Sequence, residues 1–438
     1  MQSGPPKGIA TTPLWQDGAG AAFVRPEETA AGDGRLPPRV EILVVGGGYT
    51  GLSAARETAA AGLATLVLDA AAPGTGCSGR NGGQVAYSIK PSLEQLAAKH
   101  GHERAYAICR DGLDAIAYLR ELAAEEGFDC DWRATGSFYG AHTAAHFAEM
   151  AHAARHQPPG LEQRIRVVPR GEQHAEIGSD YYHGGCVYHD DASVDPVRLL
   201  DSLRRRARAA GAETVYGCEV TSLERSGDGY LAHTARGPVR ARRVLLATNG
   251  YSRGLSPWHR RRVIPIGSYQ IATEPLGAQR MRALIPHGRH VSDSRRVVVY
   301  FRPSADGERL IFGGRAALGE PDPLVCVPRL RAMMAQIFPQ LRTVRVTHAW
   351  AGWVAYTFDT LPHVGERDGL HYCMGYCGQG VVLAPYLGMR VGRRMAGLPG
   401  GASAFDGLEF PSRPYHFGTP WFLAPAVFAY RWLDRLGL

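Results

Sequence analysis

Short apolar runs punctuated by glycine mark the start of the fold. Residues 41–45 (EILVV) read as a buried strand, and the glycine run behind them opens a helix over 49–61. Gly62 ends that helix, and 64–68 (ATLVL) read as a second, parallel strand. This is a βαβ unit of about 30 residues, the opening of a doubly wound sheet. Helical periodicity returns at 93–99, 103–126 and 144–156, with a strand expected at 135–141. Residues 196–210 are strongly amphipathic, with Leu199, Leu200 and Leu203 inward and arginines outward. Strands at 215–223 and 244–247 are expected to return to the first sheet. From about 256 to 345 the pattern becomes the alternation of antiparallel strands, at 267–273, 297–302 and 310–313. After Trp350 the chain turns glycine-rich again and enters a helix near 384–395.

The pattern predicts an α/β protein. A Rossmann-like, discontinuous nucleotide-binding domain takes 38–90, 187–255 and 346–400. A second, α+β substrate domain on an antiparallel sheet takes 91–186 and 256–345. Residues 1–37 form an arm, and 401–438 a tail ending in an apolar helix. With 438 residues, 45% hydrophobic and 21% charged, the chain is large enough for two or three real cores, which excludes a disordered adaptor. There is no internal repeat and no collagen-like or low-complexity class.

The net charge of +8 changes little, because its arginine clusters (204–206, 260–262, 295–296 and 393–394) are short and scattered. They read as solvated faces, and no nucleic-acid partner is expected. The eight cysteines form no C-x-x-C pair, so neither a metal site nor a disulfide framework is expected. The first residues lack a basic and then apolar leader, and no stretch of 18 apolar residues occurs, so the expected location is the cytoplasm. The 18-residue stretch 421–438 contains Pro425 and should not span a bilayer. It is expected to pack on its own fold, with a membrane surface or a partner as alternatives. Only three of the 49 basic residues are lysines, Lys7, Lys90 and Lys99, so no lysine beyond Lys99 can serve the chemistry.

Gly46-Gly47-Gly48-Tyr49-Thr50-Gly51 is G-x-G-x-x-G between a strand and a helix. Gly46 permits the tight turn, Gly48 lets backbone approach a pyrophosphate, and Gly51 lets the helix pack closely on the strand. The helix N-terminus then offers free N–H groups and partial positive charge to phosphates. Asp69 ends the second strand, 23 residues after Gly46, where an acid holds ribose hydroxyls. Next, residues 76–84 (GCSGRNGGQ) pack four glycines, an arginine and two amides into nine positions, a loop suited to a flat, hydrogen-bonding ligand.

Four motifs in order, VVGGGYTGLSAA, SGRNGGQ, LATNGY (246–251) and GYCGQGV (375–381), resemble the D-amino-acid-oxidase-type (glutathione-reductase-2) flavoproteins. Among these the chain is most similar to FAD-dependent amine oxidoreductases of the gamma-glutamylputrescine oxidase type, over roughly 40–400. The resemblance implies that Gly46, Gly48, Tyr49, Thr50, Gly51 and Asp69 hold the ADP half of FAD. It puts Ser78, Arg80, Asn81, Gly82 and Gln84 around the ribityl, pyrophosphate and ring. Val220 would meet the adenine, Thr248 and Asn249 would pass the pyrophosphate, and Gly378, Gln379, Gly380 and Val381 would lie under the pyrimidine edge. That last loop precedes a helix, whose N-terminus favours negative charge on a reduced ring, although Pro385 blurs where the helix starts. Relatives that tether flavin use a cysteine near a segment matching 353–357, or a histidine in the 78–84 loop. Neither is present, so noncovalent FAD is expected.

The implied activity is oxidation of a C–N bond in an amine or amino acid, by hydride transfer to flavin N5, imine hydrolysis, and reoxidation by O₂ giving H₂O₂. The alternative is a dehydrogenase passing electrons to a quinone or protein carrier. Aromatic walls favour a neutral amine by desolvation. The candidates are Tyr269, Tyr300, Phe301, Trp350, Trp353 and Tyr356, with Tyr269, Trp353 and Tyr356 foremost. Arg302 is either an edge residue with a packed stem or a group reaching the flavin or a substrate carboxylate. His348 and His363 are expected to be structural. Related sarcosine oxidases use a lysine beside the flavin to activate O₂, and none is expected on the substrate side here.

Overall fold

The computed structural model describes residues 8–17, 35–87, 89–252, 254–314, 322–423 and 425. Most of the expected arm 1–37 and of the apolar stretch 421–438 lies outside the described residues.

In chain order the first strands are β1 (Arg39–Val45), β2 (Thr65–Leu68), β3 (Gln84–Val85), β4 (Ser137–Gly140), β5 (Ile165–Pro169) and β6 (Gly184–Tyr188). Then come β7 (Ala192–Ser193), β8 (Glu213–Val215), β9 (Val220–Ser226), β10 (Gly229–Thr234), β11 (Val239–Leu246) and β12 (Ile264–Thr273). The last are β13 (His290–Asp293), β14 (Val299–Pro303), β15 (Leu310–Gly314), β16 (Val346–Tyr356), β17 (His363–Arg367) and β18 (Leu370–Met374). The longer helices that matter for the site are α1 (Tyr49–Ala60), α2 (Leu93–His100), α3 (His102–Ala124), α4 (Ala144–Arg155) and α5 (Pro196–Ala209); α6 (Gly380–Ala396) comes late.

The first sheet runs β17-β18-β11-β1-β2-β8, with the β9–β10 hairpin attached through β10 to β11. Around β1 the pairings to β2 and β11 are parallel, as the apolar runs predict for a strand covered on both faces. Helix α6 lies on α1 through two glycines. A Cβ at Gly388 would meet the Thr50 carbonyl oxygen at 2.4 Å, and one at Gly392 that of Ala54 at 2.5 Å. The two backbones are therefore nearly in contact, which holds the N-terminal ends of both helices near one cleft. Asp195 caps α5, its carboxylate accepting from Val197 N and Arg198 N, while Leu199, Leu200 and Leu203 are buried as the periodicity demands.

The second sheet runs β16-β12-β15-β14-β13-β4-β6-β5. Its period-2 alternation separates two faces. Phe138, Tyr269, Ile271, Val291, Phe301 and Phe312 belong to a core behind the sheet. Ser137, Ser268, Gln270, Ser292 and Tyr300 line the cleft in front.

Four expectations are corrected. The strand at 215–223 is two strands, because Gly217 turns the chain with φ +62° between β8 and β9. Residues 346–356 are an 11-residue edge strand of the second sheet, not part of the first, pairing with β12 along nearly its whole length. Helices α2 and α3 join the core of the first sheet rather than the second, α3 packing on α6 and Leu96, Ile108 and Leu119 sharing one apolar cluster with Leu52. Within the arm, Trp15 is core, only 4% exposed. Among the described residues no helix is long and apolar enough to cross a membrane.

Candidate active site

One cleft of about 1610 Å³ lies between the β1–α1 turn, the 74–84 loop, the polar face of the second sheet and the start of α6. At its first end, Gly46 adopts φ +110°, and a Cβ there would lie 2.8 Å from the Ala247 carbonyl oxygen. A Cβ at Gly48 would lie 2.8 Å from Ser78 Oγ, and one at Gly51 would lie 1.9 Å from the Gly46 carbonyl oxygen. The three glycines thus make room for this turn one by one. Gly48 precedes α1 without a side-chain cap, and Tyr49 N donates to Ser78 Oγ at 3.1 Å. Thr50 and Gly51 supply first-turn amides, which no helix satisfies internally.

The Asp69 carboxylate accepts from Gly47 N at 2.7 Å and from Ala71 N at 3.0 Å. Burial raises its pKa, and those two backbone donors oppose the shift. A carboxylate has about four acceptor sites, so two remain for hydroxyl groups of a ligand. The side chains of Tyr49 and Thr50 are otherwise engaged. Tyr49 donates to the Pro196 carbonyl, and the Thr50 hydroxyl bonds that of Tyr376. Thr50 therefore offers its backbone N–H alone, while that of Tyr49 is already given to Ser78 Oγ.

The 76–84 loop is stitched to both halves. Asn81 Nδ2 contacts the Cys77 and Ser78 carbonyls and Tyr49 Oη, and its Oδ1 accepts from Gly83 N at 2.8 Å. Arg80 donates to the Thr75 and Ala351 carbonyls, while its own carbonyl accepts from Gln270 and Trp350. Gln84 reaches the Val291 carbonyl at 3.4 Å. Trp15 Nε1 donates to the Asn81 carbonyl, a brace with no signal in the local pattern. Gly82 lies under Tyr300, whose ring would be 3.2 Å from a Cβ there.

Val220, Thr248 and Asn249 line the same cleft. Asn249 takes φ +46°, and its Oδ1 accepts from Gly375 N, tying the end of β11 to the late glycine loop. In that loop Gly378 has φ +94°, Gln379 precedes the helix and α6 begins at Gly380. Pro385 therefore sits inside the helix rather than at its first position, and the first-turn amides of Gly380 and Val381 belong to a true helix end. Cys373 and Cys377 are buried thiols held protonated by desolvation, Cys373 pushed up to about 12.

On the substrate side the structure sorts the candidates. Tyr269, Trp353 and Tyr356 all line the cleft, although Tyr269 is 1% exposed and also packs in the core behind β12, with its neighbours Ser268 and Gln270 facing forward. Trp350 and Phe301 are likewise core residues. Arg302 does not line the cleft. It is 3% exposed, and its Nη1 donates to the carbonyls of Gly83 at 3.0 Å, Val194 at 2.9 Å and Gly82 at 3.4 Å. Its guanidinium also lies 4.9 Å from the centroid of the Trp15 ring. Its donors are thus directed at the 82–83 backbone and away from the cleft.

His348 is bonded to Asp17 at 2.6 Å, and His363 to Asp359 at 3.0 Å, and neither faces the cleft.

The local pattern assigns no role at the site to Lys90, which belongs to the segment expected for the nucleotide-binding domain. Lys90 lines the cleft, its Nζ donating to Tyr356 Oη at 2.9 Å and lying 4.9 Å from that ring's centroid. Tyr356 Oη in turn would be 3.6 Å from a Cβ at Gly378, so the lysine stands beside the start of α6. A separation of 266 residues hides this pairing from any local pattern. Sequence reasoning also missed Ser268 and Gln270, although polar residues alternating with Tyr269 and Ile271 signal a second, wetted face.

The donor set suits a dinucleotide carrying a flat ring: glycine backbone and a carboxylate at one end, amide-rich loop backbone in the middle, a helix start and a cation at the other. A family model described as FAD dependent oxidoreductase (DAO) matches residues 41–394. A probable oxidoreductase OrdL of Rhizobium meliloti is 32% identical over 382 residues, 86% of this chain and 87% of that one. Gamma-glutamylputrescine oxidoreductase of Escherichia coli is 30% identical over 408 residues, covering 91% and 93%. Among solved structures, glycine oxidase from Geobacillus kaustophilus superposes with TM-score 0.71 at 20% identity, over 86% of this chain and 100% of that one.

Proposed function

Because the chain belongs to the FAD-dependent oxidoreductases of the DAO family, we propose that it oxidises a C–N bond of a small amine or amino acid and passes the electrons to O₂. FAD, held noncovalently, would supply a two-electron acceptor for hydride from the α-carbon, with O₂ and two protons carrying the electron pair away as H₂O₂. Water hydrolyses the imine product. Gly46, Gly48, Gly51 and Asp69 would hold the adenosine and phosphate half. The 78–84 backbone and residues 378–381 would hold the ring.

The observation that carries the assignment is that one cleft joins the glycine turn to the polar face of the second sheet, with Trp353 and Tyr356 as walls. The Lys90 ammonium disfavours a second positive charge next to it, so an amine bound against Tyr356 loses its proton more readily, as hydride transfer requires. The same cation, with the α6 N-terminus, favours the build-up of negative charge when O₂ is reduced. Two curated relatives share the theme, being named for gamma-glutamylputrescine and, in the Pseudomonas aeruginosa protein, for glycine.

Purified protein is expected to be yellow, to release free FAD on acid precipitation, and to lose its visible band when an amine substrate is added without air. A colourless protein that cannot be reconstituted with FAD would sink the assignment. Lys90→Met is expected to keep its flavin and to slow reoxidation by O₂ by about 10- to 100-fold. Stopped-flow mixing of the reduced enzyme with O₂ measures this. An unchanged rate, with dye or quinone as the faster acceptor, would favour a dehydrogenase.

A further inference from the structure

On the polar face of the second sheet stands a cluster outside the residues assigned above to the flavin. His290 on β13 is 3% exposed and lines the cleft, yet neither ring nitrogen has a hydrogen-bond partner. Its nearest acid is Asp191, with Nε2 to Oδ2 3.9 Å, beyond hydrogen-bond reach. Asp191, in the turn between β6 and β7, is 4% exposed and lines the same wall. The Asp191 carboxylate accepts from Ser137 Oγ at 2.6 Å and from the Tyr87 backbone N–H, which leaves about two of its four acceptor sites open, and Ser137 also faces the cleft. No lysine or arginine among the described residues forms an ion pair with it. Arg120, the nearest cation to act on it, spends a donor on the Asp190 carbonyl. Arg302, which acts on His290, is spent on the loop carbonyls.

A carboxylate and an imidazole buried with unfilled hydrogen-bond capacity are costly unless a ligand completes them. Desolvation shows the same frustration. It raises Asp191 to about 7 and lowers His290 to about 3, each toward its neutral form. An anion would meet the carboxylate, and an apolar group would leave every polar atom unpaired. An alkylammonium brings positive charge and three N–H donors, enough for Asp191, the acceptor nitrogen of His290 and one more oxygen.

We propose that Asp191, His290 and Ser137 form a binding site for a distal ammonium, so that the preferred substrate carries a second charged nitrogen far from the one oxidised. This rests on amine oxidation at the Trp353–Tyr356 end. β13 is four strand steps from β16, which carries Trp353 and Tyr356, about 19 Å at the usual spacing, so the two nitrogens must be well separated. The two ends are electrostatically opposite: Lys90 disfavours charge on the reacting amine, and Asp191 requires it on the distant one.

The test compares α,ω-diaminoalkanes of graded length with n-alkylamines of matching length on the holoenzyme. At the best length kcat/KM for the diamine is expected to exceed that for the monoamine by about 10- to 100-fold, the value of a charge-assisted hydrogen bond. Asp191→Asn should erase that preference through KM, leaving kcat and the monoamine values in place, and His290→Gln should reduce it. Equal losses for both series in the variant, or no preference in the wild type, would overturn the site. Titration of the flavin's visible band adds a readout that needs no turnover. A diamine that perturbs the wild-type band without bleaching it, and leaves Asp191→Asn unmoved, keeps the site while refuting amine oxidation. Bleaching by both series without preference does the reverse. If Asp191→Asn takes up no flavin, Ser137→Ala and His290→Gln carry the same comparison.

Discussion

Gly51→Ala is expected to yield protein with less than about a tenth of the wild-type flavin, losing most of its yellow colour. The added Cβ would stand 1.9 Å from the Gly46 carbonyl oxygen and 2.9 Å from Val44 Cγ1. The first obstacle is backbone, so no side chain can swing aside. To accept a methyl group, α1 must move off β1, and the turn that faces the pyrophosphate moves with it. Overpacking of this kind costs about 1–3 kcal/mol or more, and the geometric loss falls on the cofactor site itself. Gly171→Ala is the control, because a Cβ there meets nothing within 4 Å. Flavin absorbance per protein and the midpoint of thermal unfolding, with and without added FAD, separate the two. Normal flavin content in Gly51→Ala would mean that the turn has slack that the structure does not show.

Arg302→Met is expected to lower stability by about 3 kcal/mol or more and to reduce flavin content, with any remaining holoenzyme showing a nearly ordinary KM. The guanidinium donates to four carbonyls, those of Gly82, Gly83 and Val194 through Nη1 and that of Pro303 through Nε. Methionine fills similar space but donates nothing, so these acceptors lose a charged partner in a dry site. Burial lowers the arginine to about 10, still protonated at neutral pH, so the charged donor is present whenever the enzyme works. An arginine reaching a substrate carboxylate would behave differently. Its loss would raise KM for acidic substrates alone and leave flavin content untouched. Kinetics with carboxylated and uncarboxylated amines, beside flavin content, decide between the two roles.

Arg302 also shows where a linear pattern stops being informative. An arginine between apolar residues on a strand signals either an edge or a buried role, and both draw on the same alternation. What resolves it is the return of residues 82–83 and 194 over β14, from positions 220 and 108 residues away in the chain. Strand β16 escaped notice for a related reason. VTHAWAGWVAY mixes small and aromatic residues on both faces; its edge is hydrogen-bonded to β12, and Gly352 makes room for Cys77 and Arg80 of the neighbouring loop. Its burial pattern carries no clean period of two.

Within short range the chain is explicit. Apolar strand, glycine turn, helix and acid at residues 41–69 can be satisfied in few other ways, since φ, close approach and periodicity are properties of neighbouring residues. The glycine turn, the amide-rich loop and the motif order that point to a flavin are all of this kind, and they are legible without coordinates. Lys90 beside Tyr356, Trp15 under the 81–83 loop and His290 beside Asp191 are not. Each pairs groups at least 66 residues apart, brought together by the stacking of two sheets around one cleft. The scarcity of lysine was visible at once, but its meaning depended on where the chain folds back. Burial and charge at a site are sums over whatever the fold assembles there, and no window of local sequence contains those terms.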